Sequence, residues 1–86
     1  MAHYFDLAKN SNKIYGIVEY GHHFYTFWGG YRKSLSIKYH TTSDEAEKQY
    51  DTKIAKGYKE MDSRAFEQAK VWVIPALKAR FAKLGD

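Results

Sequence analysis

The sequence contains no cysteine and only one proline among its 86 residues. Without cysteine there can be no disulfide bond, no thiolate metal site and no cysteine nucleophile. No apolar run approaches the roughly 20 residues that a membrane-spanning helix needs, so we expect no contact with a membrane. The first residues also lack a basic stretch followed by an apolar one, which argues against a secretory signal. These absences favour a cytoplasmic protein.

Aromatic side chains, by contrast, are plentiful. They make up 17% of the residues, and eight of them are tyrosines. Large rings fill the core of a short chain at a small cost in conformational entropy. Fourteen lysines and arginines against ten acidic residues give a net charge of +4, which permits an anionic partner without requiring one. A chain of this length supports one domain with a single core.

The order of apolar and turn residues predicts an α+β fold, with a small antiparallel sheet of three to four strands covered by one helix. We expect an N-terminal arm over residues 1–11 and strands over residues 13–19, 24–28 and 34–40. The glycine pair Gly29-Gly30 is expected to break the second strand. Apolar and polar residues alternate in the third strand, which predicts one buried and one solvated face of the sheet.

Two helices are expected after the sheet. Thr42 and Glu45 fit a capping box, and Gly57 fits a C-terminal stop, so the first helix is predicted between them. Residues 12–61 would then form the domain, and residues 62–86 a C-terminal helical extension packed on it. The apolar stripe of this extension comprises Phe66, Ala69, Val73, Leu77, Phe81 and Leu84. Pro75 predicts that the extension is either kinked or broken into two helices.

The sequence has few of the patterns that enzymes use. It lacks a glycine-rich phosphate loop, a paired-histidine zinc motif and a nucleophile elbow. His22 and His23 are adjacent in a predicted turn, but successive side chains diverge, so a solvated turn is the simpler interpretation. We therefore expect no enzyme, no catalytic residue, no metal ligand and no cofactor.

A segment rich in rings and cations follows the second predicted strand. Aromatic rings that stack on bases or sugars, beside cations that meet phosphates, are typical of nucleic-acid-binding surfaces. No acidic residue occurs between Gly29 and His40. The candidate nucleic-acid-binding residues are Trp28, Gly29, Tyr31, Arg32, Lys33 and Lys38. The alternative interpretation is a core tryptophan followed by a solvated hairpin turn.

An ordered series of motifs over about residues 12–60 resembles the WGR domain family. The segment Asn12-Lys13-Ile14-Tyr15-Gly16-Ile17 is similar to the Asn-Lys-x-Tyr-x-Ile strand that opens these domains. Trp28-Gly29-Gly30 falls where the family has its Trp-Gly-Arg signature. Further along, Thr42, Glu45-Ala46-Glu47, Tyr50 and Lys56-Gly57-Tyr58 resemble the helix cap, the helix and the closing Lys-Gly-Tyr of the family. The resemblance implies an antiparallel sheet with one helix packed across it.

The resemblance also implies a function. In poly(ADP-ribose) polymerases the Trp and Arg of the signature contact the DNA backbone at a strand break. By carry-over, Trp28 would stack on a terminal sugar or base, and Gly29 would allow close approach of the backbone. Gly30 replaces the signature arginine, which removes a bidentate phosphate donor, and the family's following Gly-x-x-Gly-Gln turn is missing. Arg32 or Lys33 would then have to supply the charge.

Two functions are compatible with these features. The first is a non-enzymatic nucleic-acid-binding module that recognises DNA, in preference to RNA, by its backbone or ends with weak sequence preference. The second is a protein–protein adaptor or inhibitor, of phage or mobile-element type, that acts on a nucleic-acid-processing complex. It would bind a protein partner, or form a homodimer, through the C-terminal helix, where Trp72 flanks the apolar stripe. The competing interpretation of this helix is that it completes the domain core.

Overall fold

The computed structural model describes residues 5–84, except the side chain of Leu84, and shows a five-stranded antiparallel sheet with a helix on each face. The elements in chain order are β1 (Phe5–Asn10), β2 (Lys13–Tyr20), β3 (His23–Gly30), β4 (Leu35–His40), α1 (Ser43–Ala55), β5 (Lys59–Glu60) and α2 (Ser63–Leu84). The strand order is β4-β3-β2-β1-β5, so β4 and the short β5 are the edges. The predicted α+β fold is confirmed, with five strands where three to four were expected.

Residues 5–10 form strand β1, whereas the sequence predicts an arm there. This strand lies between β2 and β5 and pairs with both. Within β1, the adjacent residues Leu7 and Ala8 are both buried, one on each face of the sheet. A strand covered on both faces lacks the alternation that reveals a half-buried strand, which explains why the pattern suggested no strand. Residues 1–4 of the expected arm lie outside the described residues.

Strand β3 includes the glycine pair that was expected to break it and ends at Gly30. Gly29 and Gly30 pair with Ile14 and Lys13 of β2. A Cβ atom at Gly29 would come within 2.6 Å of the carbonyl oxygen of Ser34, because the β3–β4 hairpin folds back closely at this point. Glycine is therefore required at position 29 for the close approach of two backbones.

Both faces of the sheet are covered, whereas the alternation in β4 predicts one solvated face. The core on the α1 side consists of Ala8, Tyr15, Ile17, Ala46 and Tyr50. The core on the α2 side consists of Leu7, Ile14, Tyr25, Phe27, Leu35, Ala69, Val73, Leu77 and Phe81. In β4, His40 belongs to the set expected in water, yet it is only 1% exposed. It tolerates burial because both ring nitrogens have hydrogen-bond partners, Thr26 and Glu45.

Helix α1 begins and ends where the sequence predicts. The hydroxyl of Thr42 accepts a hydrogen bond from the backbone N–H of Glu45 at 3.1 Å. The carboxylate of Glu45 does not complete a capping box but accepts a hydrogen bond from Nδ1 of His40 at 3.0 Å. Gly57 follows the helix with a φ of 113°, a left-handed conformation that favours glycine.

Helix α2 runs through Pro75 without interruption, so the predicted alternative of two separate helices is wrong. Asp62 caps its start by accepting a hydrogen bond from the N–H of Ala65 at 2.8 Å. Val73 and Leu77, on either side of the proline, are both buried against the sheet and hold the two halves of the helix in place. Neither helix within residues 5–84 is long and apolar enough to cross a membrane.

Candidate functional site

An open groove lies on the α1 side of the sheet, between the second half of α1 and strands β2 to β4. It has a volume of about 260 Å³. Its lining residues are Tyr15, Trp28, Lys38, Gln49, Lys53 and Tyr58. Strand alternation places Tyr15, Trp28 and Lys38 on one face of the sheet. The register aligns Tyr15 with Trp28 and aligns Lys38 with Thr26, two residues before Trp28. None of the lining residues is acidic.

Two stacked rings form the floor of the groove. Tyr15 and Trp28 face each other on neighbouring strands, with ring centroids 6.0 Å apart and ring planes 14° apart. Tyr58 meets Tyr15 edge-on at 6.1 Å. Tyr15 is buried, whereas Trp28 is 37% exposed. The sheet and Tyr15 therefore hold the indole in place and leave part of it open to a ligand.

Two lysines give the groove its charge. The Nζ atom of Lys53 lies 5.4 Å from the centroid of the Tyr15 ring, and Lys38 lines the groove from β4. Within residues 5–84 neither lysine forms a salt bridge. Burial raises the pKa of the Tyr15 phenol above its ordinary value, so this ring stays uncharged at neutral pH. The groove is therefore suited to a flat ring that carries a negative group.

The structure brings only some of the sequence-predicted residues together. Trp28 and Lys38 share the groove, and Arg32 and Lys33 are exposed on the β3–β4 turn that follows. Tyr31 instead belongs to the α2 side, where its ring meets Trp72 edge-on at 5.4 Å. Gly29 is also removed from the groove, since its missing side chain would point at Ser34 and Leu35.

Several groove residues were missed by the sequence interpretation: Tyr15, Gln49, Lys53 and Tyr58. Helical spacing places Gln49 and Lys53 beside the buried residues Ala46 and Tyr50 of α1, so two polar residues border an inward face. Polar residues next to buried positions of a helix could therefore have indicated a polar groove beside α1. The contribution of Tyr15 depends on the register between β2 and β3, which the sequence does not reveal.

Lys13 is a further cation at this end of the sheet. The register places it directly opposite Gly30, on the same face as Trp28. Gly30 therefore has a lysine directly opposite it on the neighbouring strand.

A hydrogen-bonded chain of hydroxyl, imidazole and carboxylate lies behind the groove. Because a carboxylate can only accept, Nδ1 of His40 donates to Glu45, and in the neutral ring Nε2 accepts from the hydroxyl of Thr26 at 2.9 Å. Thr26 is fully buried, so its hydroxyl is out of reach of any substrate. The chain joins β3, β4 and α1 and has a structural role.

The described part of the chain holds no group of three side chains suited to a metal ion. The histidines singled out from the sequence, His22 and His23, are exposed at the β2–β3 turn.

Fold and groove together define a small α+β domain with an aromatic site flanked by lysines. Comparison of the chain with known protein families, with curated proteins and with solved structures finds no match.

Proposed function

We propose that this protein is a non-enzymatic nucleic-acid-binding module of the WGR type, which holds DNA in preference to RNA. The observation that carries the proposal is the exposed indole of Trp28, stacked on Tyr15 and flanked by Lys38 and Lys53. A base or a terminal sugar stacks on the indole, and the two ammonium groups meet the adjacent phosphates. A cytoplasmic location gives such a module access to nucleic acid.

The cations around the groove support recognition of the backbone. The guanidinium of Arg32 lies over the ring of Tyr31, 5.8 Å from its centroid, and so accompanies that ring on the α2 side. Lys33 packs beside Gly30, and Lys13 lies opposite Gly30 on the neighbouring strand. These two lysines provide positive charge where the family signature would have an arginine. Because phosphates are the same at every position of a strand, binding through them carries little sequence preference.

The test is a titration of fluorescently labelled single-stranded, nicked and blunt duplex DNA, followed by anisotropy. With three to five cations engaged, raising the salt from 50 to 200 mM should weaken binding by roughly tens to hundreds of fold. Trp28→Ala should lower the affinity about 5- to 150-fold, because stacking contributes about 1–3 kcal/mol per base. Lys53→Gln should lower it several-fold.

A matched control is Lys48→Gln, which removes the same charge from an exposed position of the same helix outside the groove. It should bind like the wild type. Absence of salt-sensitive binding at micromolar protein, or equal losses in the Lys48 and Lys53 variants, would overturn the proposal.

The alternative function, an adaptor or inhibitor that binds protein through α2, has weaker support. Helix α2 uses its apolar stripe to cover the sheet, with Val73, Leu77 and Phe81 buried there. The same packing leaves less apolar surface for a homodimer through this helix.

A further inference from the structure

A second recess lies along the free edge of β4, where the second half of α2 passes beside it. Two adjoining cavities of about 230 Å³ each share Arg80 and Lys83 among their lining residues. Ser34 and Ser36 line the recess from the hairpin and from β4. None of these four residues lines the groove around Trp28.

The guanidinium of Arg80 is fixed in this recess. Its Nε atom donates a hydrogen bond to the backbone carbonyl of Leu35, a buried residue at the start of β4. A guanidinium carries five N–H donors, and this contact uses one of them. The terminal nitrogen atoms remain available in a fixed orientation, which suits an oxygen-bearing anion such as phosphate.

Among residues 5–84, no carboxylate pairs with the cations of this recess. The hydroxyl group of Ser34 forms no hydrogen bond with the residues that the structure describes. Strand alternation turns the Ser36 side chain to the α1 face with Trp28 and Lys38, so Ser36 borders the recess as part of the edge strand and its hydroxyl is not part of the site. A role for Arg80 in capping the edge strand would explain its bond to Leu35 but not the second cation, Lys83, that lines the same recess.

We propose that Arg80 and Lys83 form a second anion site beside Ser34, which binds a phosphate group at the edge of β4. The terminal nitrogen atoms of Arg80 donate to two phosphate oxygens, and Lys83 neutralises the remaining charge. The site is independent of the proposed function, since it shares no residue with the groove. The phosphate belongs either to a nucleic-acid strand or to a small phosphorylated molecule.

The test is a nuclear magnetic resonance titration of the ¹⁵N-labelled full chain with inorganic phosphate, at constant ionic strength maintained with chloride. We expect saturable shifts of the Arg80 Nε–H signal and of the backbone amides of residues 34–36. Lys83→Gln should weaken phosphate binding several-fold. Lys78→Gln, an exposed lysine that lines a different cavity on the other flank of α2, should leave it unchanged.

Arg80→Lys separates the anion site from a purely structural role. Lysine keeps the positive charge but lacks the paired N–H donors of the planar guanidinium. A variant that folds should therefore still lose most of its phosphate affinity. If the Arg80→Lys variant is unstable, the phosphate affinity of the Lys83→Gln variant, compared with that of the Lys78→Gln control, tests the site. Shifts that do not saturate, or that chloride reproduces, would overturn the site, as would equal losses in the Lys83 and Lys78 variants.

A second titration uses a single-stranded oligonucleotide in place of inorganic phosphate. The same Arg80 shift at micromolar oligonucleotide would identify a nucleic-acid backbone as the source of the phosphate. A shift with free phosphate alone would identify a small phosphorylated ligand, and either result supports the site. Trp28→Ala should leave the phosphate titration intact, so failure of the groove and failure of this site can be told apart.

Discussion

Tyr50 is a single residue on which stability at alkaline pH should depend. Tyr50 belongs to α1, and its ring is buried between this helix and the sheet. Its hydroxyl donates a hydrogen bond to Glu60 at 3.3 Å. Burial raises the pKa of this phenol well above the ordinary value of 10.0, and the carboxylates of Glu60 and Asp6 add to the effect. The folded protein thus holds Tyr50 neutral at a pH where the unfolded chain ionises it. The stability that this contributes is fully present below pH 10.0 and is lost as the pH rises further.

Tyr50→Phe should therefore flatten the loss of stability above pH 10.0. Phenylalanine does not ionise in the folded or the unfolded state, so the variant lacks the contribution of residue 50 to the pH dependence of stability. At neutral pH the variant should lose less than about 1 kcal/mol, the usual net contribution of one hydrogen bond. Denaturant unfolding at a series of pH values measures both effects. Tyr39→Phe, on a half-exposed ring, is the control, and an equally steep loss in wild type and the Tyr50 variant would contradict the assignment.

Individual site residues were predictable where one segment contains the whole signal. Trp28 and Lys38 follow from the ring and cation pattern around the β3–β4 hairpin, and both line the groove. Tyr31 belongs to the same pattern, yet strand alternation turns it to the other side of the sheet toward Trp72. Lys53 could not be assigned to the site because its contact with Tyr15 depends on how α1 crosses the sheet.

Elements with a clean period were predictable from the sequence. The spacing of Ala46, Tyr50 and Ile54 predicts α1, and the stripe through Val73 and Leu77 predicts α2. Strand β1 was missed because both of its faces are buried, and β5 because a two-residue strand carries no period. The coverage of both sheet faces follows from the position of α2, which local patterns do not contain.

Helix α2 offers a matched pair of valines that tests its role in the core. Val73 is fully buried against the sheet, and Val71, two residues earlier, is 76% exposed. Val73→Asp should unfold the protein, because it removes about 1.5–3 kcal/mol of apolar burial and places a charge in the core. Total stabilities of such domains are only about 5–15 kcal/mol. Val71→Asp should leave the thermal unfolding midpoint within a few degrees of wild type. A folded Val73 variant would instead favour a helix that is free to bind a partner.

At the scale of the whole molecule, positive groups surround strand β4. Lys38 faces the groove on one side, Arg80 and Lys83 border the recess at the edge, and Arg32 and Lys33 occupy the turn before the strand. The molecule measures only 33 × 25 × 21 Å. Under the proposed function, a nucleic-acid strand in the groove would reach the edge of β4 and join the two proposed sites on one ligand.

The dependence of affinity on salt should reveal whether one strand follows this path. Each phosphate contact with a single strand contributes about 0.7 to the slope of log affinity against log salt. Lys53→Gln should lower the slope by about that amount for short and long oligonucleotides alike. Lys83→Gln should lower it only for oligonucleotides long enough to leave the groove and reach the edge. Lys48→Gln changes the net charge equally and touches neither site, so its slope should match that of wild type. A defined path must distinguish the lysines that lie on it from those that do not. If all three variants lower the slope equally at every oligonucleotide length, net charge governs binding and the path is wrong.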